Sequence, residues 1–121
     1  MEEKTKYTVE ITPEAEAFYY NILEYFYKYH SAKSADKKSN ELLELAISLE
    51  ANPTRGTFEK RLKSLGKEHR FLLYYYTTRN AIKVIYFVDE LNKVVYVTDF
   101  FPCENDDKKI SKRNTPAPEG I

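Results

Sequence analysis

The sequence predicts an α+β domain, an antiparallel sheet of about four strands with an N-terminal helical hairpin packed on one face. Three observations carry that reading. Arg70 to Phe101 holds three apolar runs separated by short polar gaps. Pro13 to Glu50 carries apolar residues at helical spacing. A short alternating stretch, Tyr7–Ile11, precedes the helices and reads as a strand.

In chain order, Thr12-Pro13-Glu14 opens the first helix. Thr is a good N-cap, Pro suits the first helical position, and Glu suits the positive helix start. The helix is predicted over Pro13 to Tyr29, with Ala15, Phe18, Tyr19, Ile22, Phe26 and Tyr29 as its apolar stripe. Tyr20, Leu23, Tyr25 and Tyr27 widen that band, so the helix is expected to have more than one neighbour. His30 to Asp36 reads as a polar turn or a fraying helix end. A second helix is predicted from Ala35 to Glu50, with Leu42, Leu45, Ala46 and Leu49 as its stripe. Asn52-Pro53-Thr54-Arg55-Gly56 stops it.

Phe58-Glu59-Lys60-Arg61-Leu62 is expected to form a further, mostly polar strand, and Lys63 to His69 a loop centred on Gly66. The meander follows as Arg70–Thr77, Ile82–Val88 and Val94–Phe101, joined by two short polar hairpin loops. Its strands do not alternate cleanly. Phe71, Leu73 and Tyr75 lie on one parity, and Leu72, Tyr74 and Tyr76 on the other. A sheet with one wet face alternates, so both faces of this one are expected to be covered, one by the hairpin and the other by a partner. Glu104, Asp106 and Asp107 read as a solvated turn rather than a cation site. The domain is expected to span residues 1–110, and Ser111–Ile121, with two prolines and little to bury, a flexible tail.

Composition narrows the function. The chain has 121 residues, enough for one core. Lys plus Arg and Asp plus Glu number 19 each, which gives no support to a large electrostatic footprint for nucleic acid. Cys103 is the only cysteine, so no internal disulfide and no multi-cysteine metal site can form. The charged N-terminus has no apolar segment of signal length behind it, which predicts a cytoplasmic protein. No metal and no cofactor is expected, and there is no Gly-rich phosphate loop.

The residues that carry candidate chemistry are basic. Lys60 and Arg61 fall on the polar strand, and His69 and Arg70 open the next. If those strands pair, the four side chains cluster at one end of the sheet and can clamp an RNA phosphate. Arg would stabilise developing charge while Lys or His moves a proton. The plainer reading is that they are strand-end charges that keep the sheet soluble.

The order of strand, helical hairpin and antiparallel meander resembles the RelE/ParE superfamily of toxins from bacterial toxin–antitoxin modules. Three stretches carry the resemblance: Tyr7-Thr8-Val9-Glu10-Ile11-Thr12-Pro13-Glu14-Ala15, then His69-Arg70-Phe71-Leu72-Leu73-Tyr74-Tyr75, then Ile82 to Glu90 leading to Val95–Phe101. The resemblance implies the toxin of a type II system that inhibits translation by ribosome-dependent mRNA cleavage. Its partners would be a cognate antitoxin, the ribosome and mRNA. Arg70 matches the message-contacting arginine of the family, and Lys60 and Arg61 fall where other basic residues contribute. The family's cleaving branch also uses an Arg and then a Tyr or His beyond the last strand. Here Pro102-Cys103-Glu104-Asn105-Asp106-Asp107 has none. Two alternatives therefore stand beside cleavage: a ParE-like inhibitor of DNA gyrase, and a catalytically eroded binding protein on the same fold. If Arg70 faces the open side of the sheet, so do Leu72, Tyr74 and Tyr76, which are then the expected antitoxin surface. Otherwise those tyrosines close a second small core under the loops or the tail.

Overall fold

The computed structural model describes residues 6–105 and 107–114. Strand β1 (Thr8–Ile11) leads into helices α1 (Pro13–Tyr29) and α2 (Ala32–Ile47). Three strands follow as β2 (Thr57–Phe58), β3 (Arg70–Tyr75) and β4 (Ala81–Asp89), then β5 (Val94–Pro102) and a short α3 (Lys108–Asn114). Two 3-10 turns, Ser48–Glu50 and Lys60–Leu65, fill the connections.

The local signals act as expected at the start of the first helix, and the second starts differently. The Thr12 side chain accepts from the Ala15 N–H at 3.2 Å, with Pro13 in the first turn. Ser31 caps α2 by accepting from the Ser34 N–H at 3.2 Å, so the second helix begins at Ala32, earlier than the sequence suggested. The turn between the helices is therefore very short, as in an antiparallel hairpin. Tyr19 ties the hairpin together by donating to the Ser39 carbonyl at 2.9 Å.

The sheet differs from the expectation in two respects. It has five strands in the order β1-β5-β4-β3-β2, and it is mixed rather than wholly antiparallel, because β1 runs parallel to β5. A parallel neighbour needs a long connection, and the helical hairpin with β2, β3 and β4 lies between β1 and β5. The polar strand expected over Phe58–Leu62 is only the two-residue β2; from Lys60 the chain turns into a 3-10 helix. Glu59 caps that turn, its carboxylate accepting from the Arg61 N–H at 3.1 Å.

Much of both faces is covered by this chain's own elements, but Leu73 and Tyr75 of β3 stay exposed on the face away from the helices. The helices seal the larger core. Ala15, Ile22 and Phe26 of α1 and Leu42 and Ala46 of α2 meet Ile82, Val84, Tyr86, Val95, Val97 and Phe100. On the opposite face a smaller core joins Leu62 of the 3-10 turn, Ile110 of α3, Ile85 and Phe101, with Phe71 and Leu65 at its border. One irregularity lets β5 serve both cores. Ile85 pairs with Asp99 but Tyr86 pairs with Val97, so Thr98 is an extra residue, a β-bulge. Val95 and Val97 face the helices before it and Phe100 after it, while Asp99 and Phe101 face the other way.

The expected tail differs as well. Ser111 to Asn114 belong to α3, which is anchored by the fully buried Ile110 and by Arg113 Nη2 on the Asp99 carboxylate at 2.6 Å. A single apolar residue among lysines hid this helix from the sequence pattern. Residues 115–121 of the expected tail lie outside the described residues. Truncating Ile110 to alanine should cost on the order of 2–5 kcal/mol of stability. Urea unfolding measures it, and a loss near zero would show that α3 does not seal the second core.

Candidate functional site

The β3 strand fixes where each expected site residue goes. Arg70, Leu72 and Tyr74 share the face that packs on the helices. The parity assumed for an open face is therefore wrong, and Leu72, Tyr74 and Tyr76 do not form a free partner surface. Leu72 and Tyr74 are partly buried against the large core, and Tyr76, 7% exposed, is part of it. The Tyr74 hydroxyl donates to Glu41 of α2 at 3.1 Å, and burial pushes its pKa upward. The Tyr76 ring lies 5.3 Å from that of Phe26, and its hydroxyl donates to Glu104 at 3.1 Å. A second small core does exist under the loops, but Phe71, of the opposite parity, contributes to it.

Arg70 is committed to the fold. Its Nη1 donates to the carbonyls of Thr54 at 3.0 Å and Gly56 at 2.9 Å, and its guanidinium lies 4.1 Å from the Phe58 ring centre. It thereby holds the loop that follows α2 against the sheet edge. Gly56 has to be glycine there. A Cβ would sit 2.5 Å from the Tyr86 hydroxyl and 2.9 Å from the Phe71 carbonyl oxygen, and the Gly56 N–H donates to that same hydroxyl.

His69 points to the opposite face from Arg70, so strand alternation separates the pair that sequence placed together. The His69 ring meets Phe87 edge-on at 5.2 Å and is 4% exposed as a residue. Burial lowers its pKa from 6.5, keeping the ring neutral at pH 7. Nδ1 lies 3.4 Å from the Lys67 carbonyl oxygen; with Nδ1 as donor, Nε2 carries the free lone pair.

Lys60 and Arg61 sit exposed on the 3-10 turn rather than on a strand. Lys60 and His69 border one groove of about 440 Å³, together with Phe58, Lys63, Lys67 and Glu68; Arg61 and Arg70 do not. Glu59, at the groove's floor, is buried and paired with Lys83 Nζ at 2.9 Å. Its charge is therefore spent within the fold, and the three lysines outweigh the one remaining acid, Glu68. Lys63 and Lys67 were missed by sequence reasoning. The signal was there in the spacing Lys63-Ser64-Leu65-Gly66-Lys67. Gly66, with φ of 75°, ends the turn in the left-handed conformation that reverses the chain between the two lysines.

A second concavity, about 330 Å³, opens between α1 and the far end of β5. Phe18, Tyr25, Phe26, Tyr76 and Phe100 line it, with Arg113 at its border. Arg113 stacks 3.8 Å over Phe18 while holding the buried Asp99, which also accepts from Asn114 Nδ2 at 2.9 Å. Among the described residues, no group of three or more His, Cys, Asp or Glu could hold a metal ion. No helix among them is long and apolar enough to cross a membrane.

Fold and groove together define an α+β protein with a mixed five-stranded sheet and a lysine-rimmed, histidine-floored groove. No family model matches the chain, and no curated protein matches it significantly.

Two outcomes follow from this geometry. Arg70→Ala should lower stability by about 1.5–3 kcal/mol, the range for hydrogen bonds to a charged donor; urea unfolding checks it, and an unchanged midpoint would show the clamp to be idle. Asp99 gives a pH signature. Desolvation outweighs Arg113 and Asn114 and raises its pKa to about 6 from 3.8, so the folded chain binds this proton more tightly than the unfolded one. Its stabilising contribution is therefore complete below 3.8 and lost as pH rises through about 6. Asp99→Asn should flatten the fall in urea midpoint across that window, and an identical pH profile in the two proteins would contradict the assignment.

Proposed function

We propose that this chain is the toxin of a bacterial type II toxin–antitoxin module that inhibits translation by ribosome-dependent mRNA cleavage. The observation that carries the reading is the groove, where Lys60, Lys63 and Lys67 surround a neutral His69. The element order of strand, helical hairpin and meander supports it. In this reading the lysines hold the phosphate. The His69 Nε2 lone pair accepts the proton of the ribose 2′-hydroxyl. The 2′-oxygen attacks phosphorus and the 5′-oxygen leaves, so the products are a 2′,3′-cyclic phosphate and a 5′-hydroxyl. Lysine at the groove rim protonates the leaving oxygen and offsets the charge on the phosphorane. Arg70 supports the site only through the loop that it anchors, which revises the direct role implied by the resemblance. The cognate antitoxin, ribosome and mRNA are the partners, and the cytoplasm is the compartment.

One observation favours the alternative of a non-cleaving inhibitor acting on DNA gyrase or another protein. The aromatic concavity beside Phe18 and Tyr25 has none of the groove's lysines in its lining and is better suited to a protein side chain than to a phosphate. Induced expression with and without the neighbouring reading frame, with message mapping and a gyrase supercoiling assay, separates the readings. Cleavage should fall roughly a hundredfold in Lys63→Glu/Lys67→Glu while the melting temperature stays unchanged, because both lysines are exposed. The depressed His69 pKa places the acidic limb of the rate profile below pH 6.5. Intact messages during growth arrest, or cleavage indifferent to both lysines, would remove the nuclease reading.

A further inference from the structure

We propose that the outer edge of β3 at Leu73 and Tyr75 is a docking site for an extended acidic peptide, which adds a strand to the sheet. β2 pairs only with Phe71 and Arg70, so among the described residues most of β3 has no outer neighbour. The direction of its main-chain groups follows from its two ends. The His69 carbonyl accepts from Glu59 on the outer side, and the Tyr76 N–H donates to Asn80 on the inner side. Alternation then aims the N–H and C=O of Leu73 and Tyr75 outward, beyond the reach of β2. No hydrogen bond from another described loop or side chain reaches them. Their side chains, 42% and 62% exposed, stand next to each other on the sheet face away from the helices. An open edge with exposed apolar side chains is a template for strand addition.

Charge selects the occupant. On the helix side of the same edge, a groove of about 470 Å³ runs between the start of α2 and the end of β3. Lys33, Lys37 and Lys38 line it, and its one acid, Glu41, is bonded to Tyr74. None of the three lysines has an ion-pair partner among the described residues. A strand presents alternate side chains to opposite faces. A segment alternating acidic and apolar residues therefore meets the lysines with one set and Leu73 and Tyr75 with the other. A second copy of this chain fits less well, because β3 pairing across a twofold axis would bring one lysine row against the other.

The site uses no residue of the phosphate groove, so it stands or falls apart from the nuclease reading. The probe is a capped hexapeptide alternating glutamate and valine, with a lysine and valine version as control. Each is titrated into the full chain, with amide hydrogen exchange read by NMR. The glutamate peptide should slow exchange at Leu73 and Tyr75, and bind roughly tenfold more tightly than the lysine peptide, with the preference fading as salt rises. Lys33→Glu/Lys37→Glu, both exposed positions, should reverse the preference. Tyr75→Pro, which deletes the outward N–H at an edge position where proline is tolerated, should abolish binding with the circular dichroism spectrum unchanged. Equal affinity for the two peptides overturns the proposal. So does perturbation confined to the cleft at Tyr25 and Phe100, or edge protection that rises with protein concentration without peptide, the sign of a second copy.

Discussion

The extra residue in β5 is the constraint on which the two-sided sheet depends. Without the bulge at Thr98, strict alternation from Val95 and Val97 would turn Asp99 and Phe101 toward the helices, and Phe100 away from them. A carboxylate would then enter the large core with no cation beside it, a costly burial. With the bulge, Val95, Val97 and Phe100 all face α1 and α2. Asp99 emerges on the other face, where Arg113 and Asn114 meet it. The carboxylate in turn holds α3 in place, and α3 supplies Ile110 to the second core. One inserted residue thus links the helical hairpin, the small core and the C-terminal helix.

The same logic explains what could be read from sequence. The capping residue Thr12 marks a real helix start, and the absence of alternation in β4 matches a strand packed on both sides, whereas β3 leaves Leu73 and Tyr75 exposed. Which parity faced the helices was not legible. Leu72 and Tyr74 are as apolar as Leu73 and Tyr75, and a one-residue choice inverts the assignment. The bulge itself leaves no compositional mark at Thr98. Nor does α3, whose stability comes from one buried isoleucine and an ion pair closed over 14 residues of chain. The mixed sheet escaped for a related reason: four residues of β1 look alike whether they run parallel or antiparallel to β5.

For the candidate site, the structure arranges the basic residues differently from the cluster that the sequence suggested. Arg70 and His69 are neighbours in the chain, and a strand sends neighbours to opposite faces. Each then takes a different task. Arg70 closes a loop through two carbonyls, and His69 is desolvated against Phe87 at the bottom of the lysine groove. The neutral total charge concealed the groove because it sums acids and bases over the whole chain and says nothing of where they lie. Glu59 is neutralised by Lys83 under the surface, which leaves Lys60, Lys63 and Lys67 as the outward field.

Distance then bears on how such a protein would be controlled. His69 and the edge at Tyr75 lie at opposite ends of β3, about 20 Å apart at the usual rise per residue. A peptide strand seated at Leu73 and Tyr75 would leave the lysine groove uncovered. Under the toxin reading, a partner using that edge would not silence the groove by filling it. It would have to act by bulk, keeping the chain from entering a confined site on a larger particle, while the groove kept its affinity for a small phosphate. The distinction is measurable on the complex itself. A short RNA dinucleotide should still bind the groove with the edge occupied, whereas a partner that wraps across both ends of β3 would exclude it.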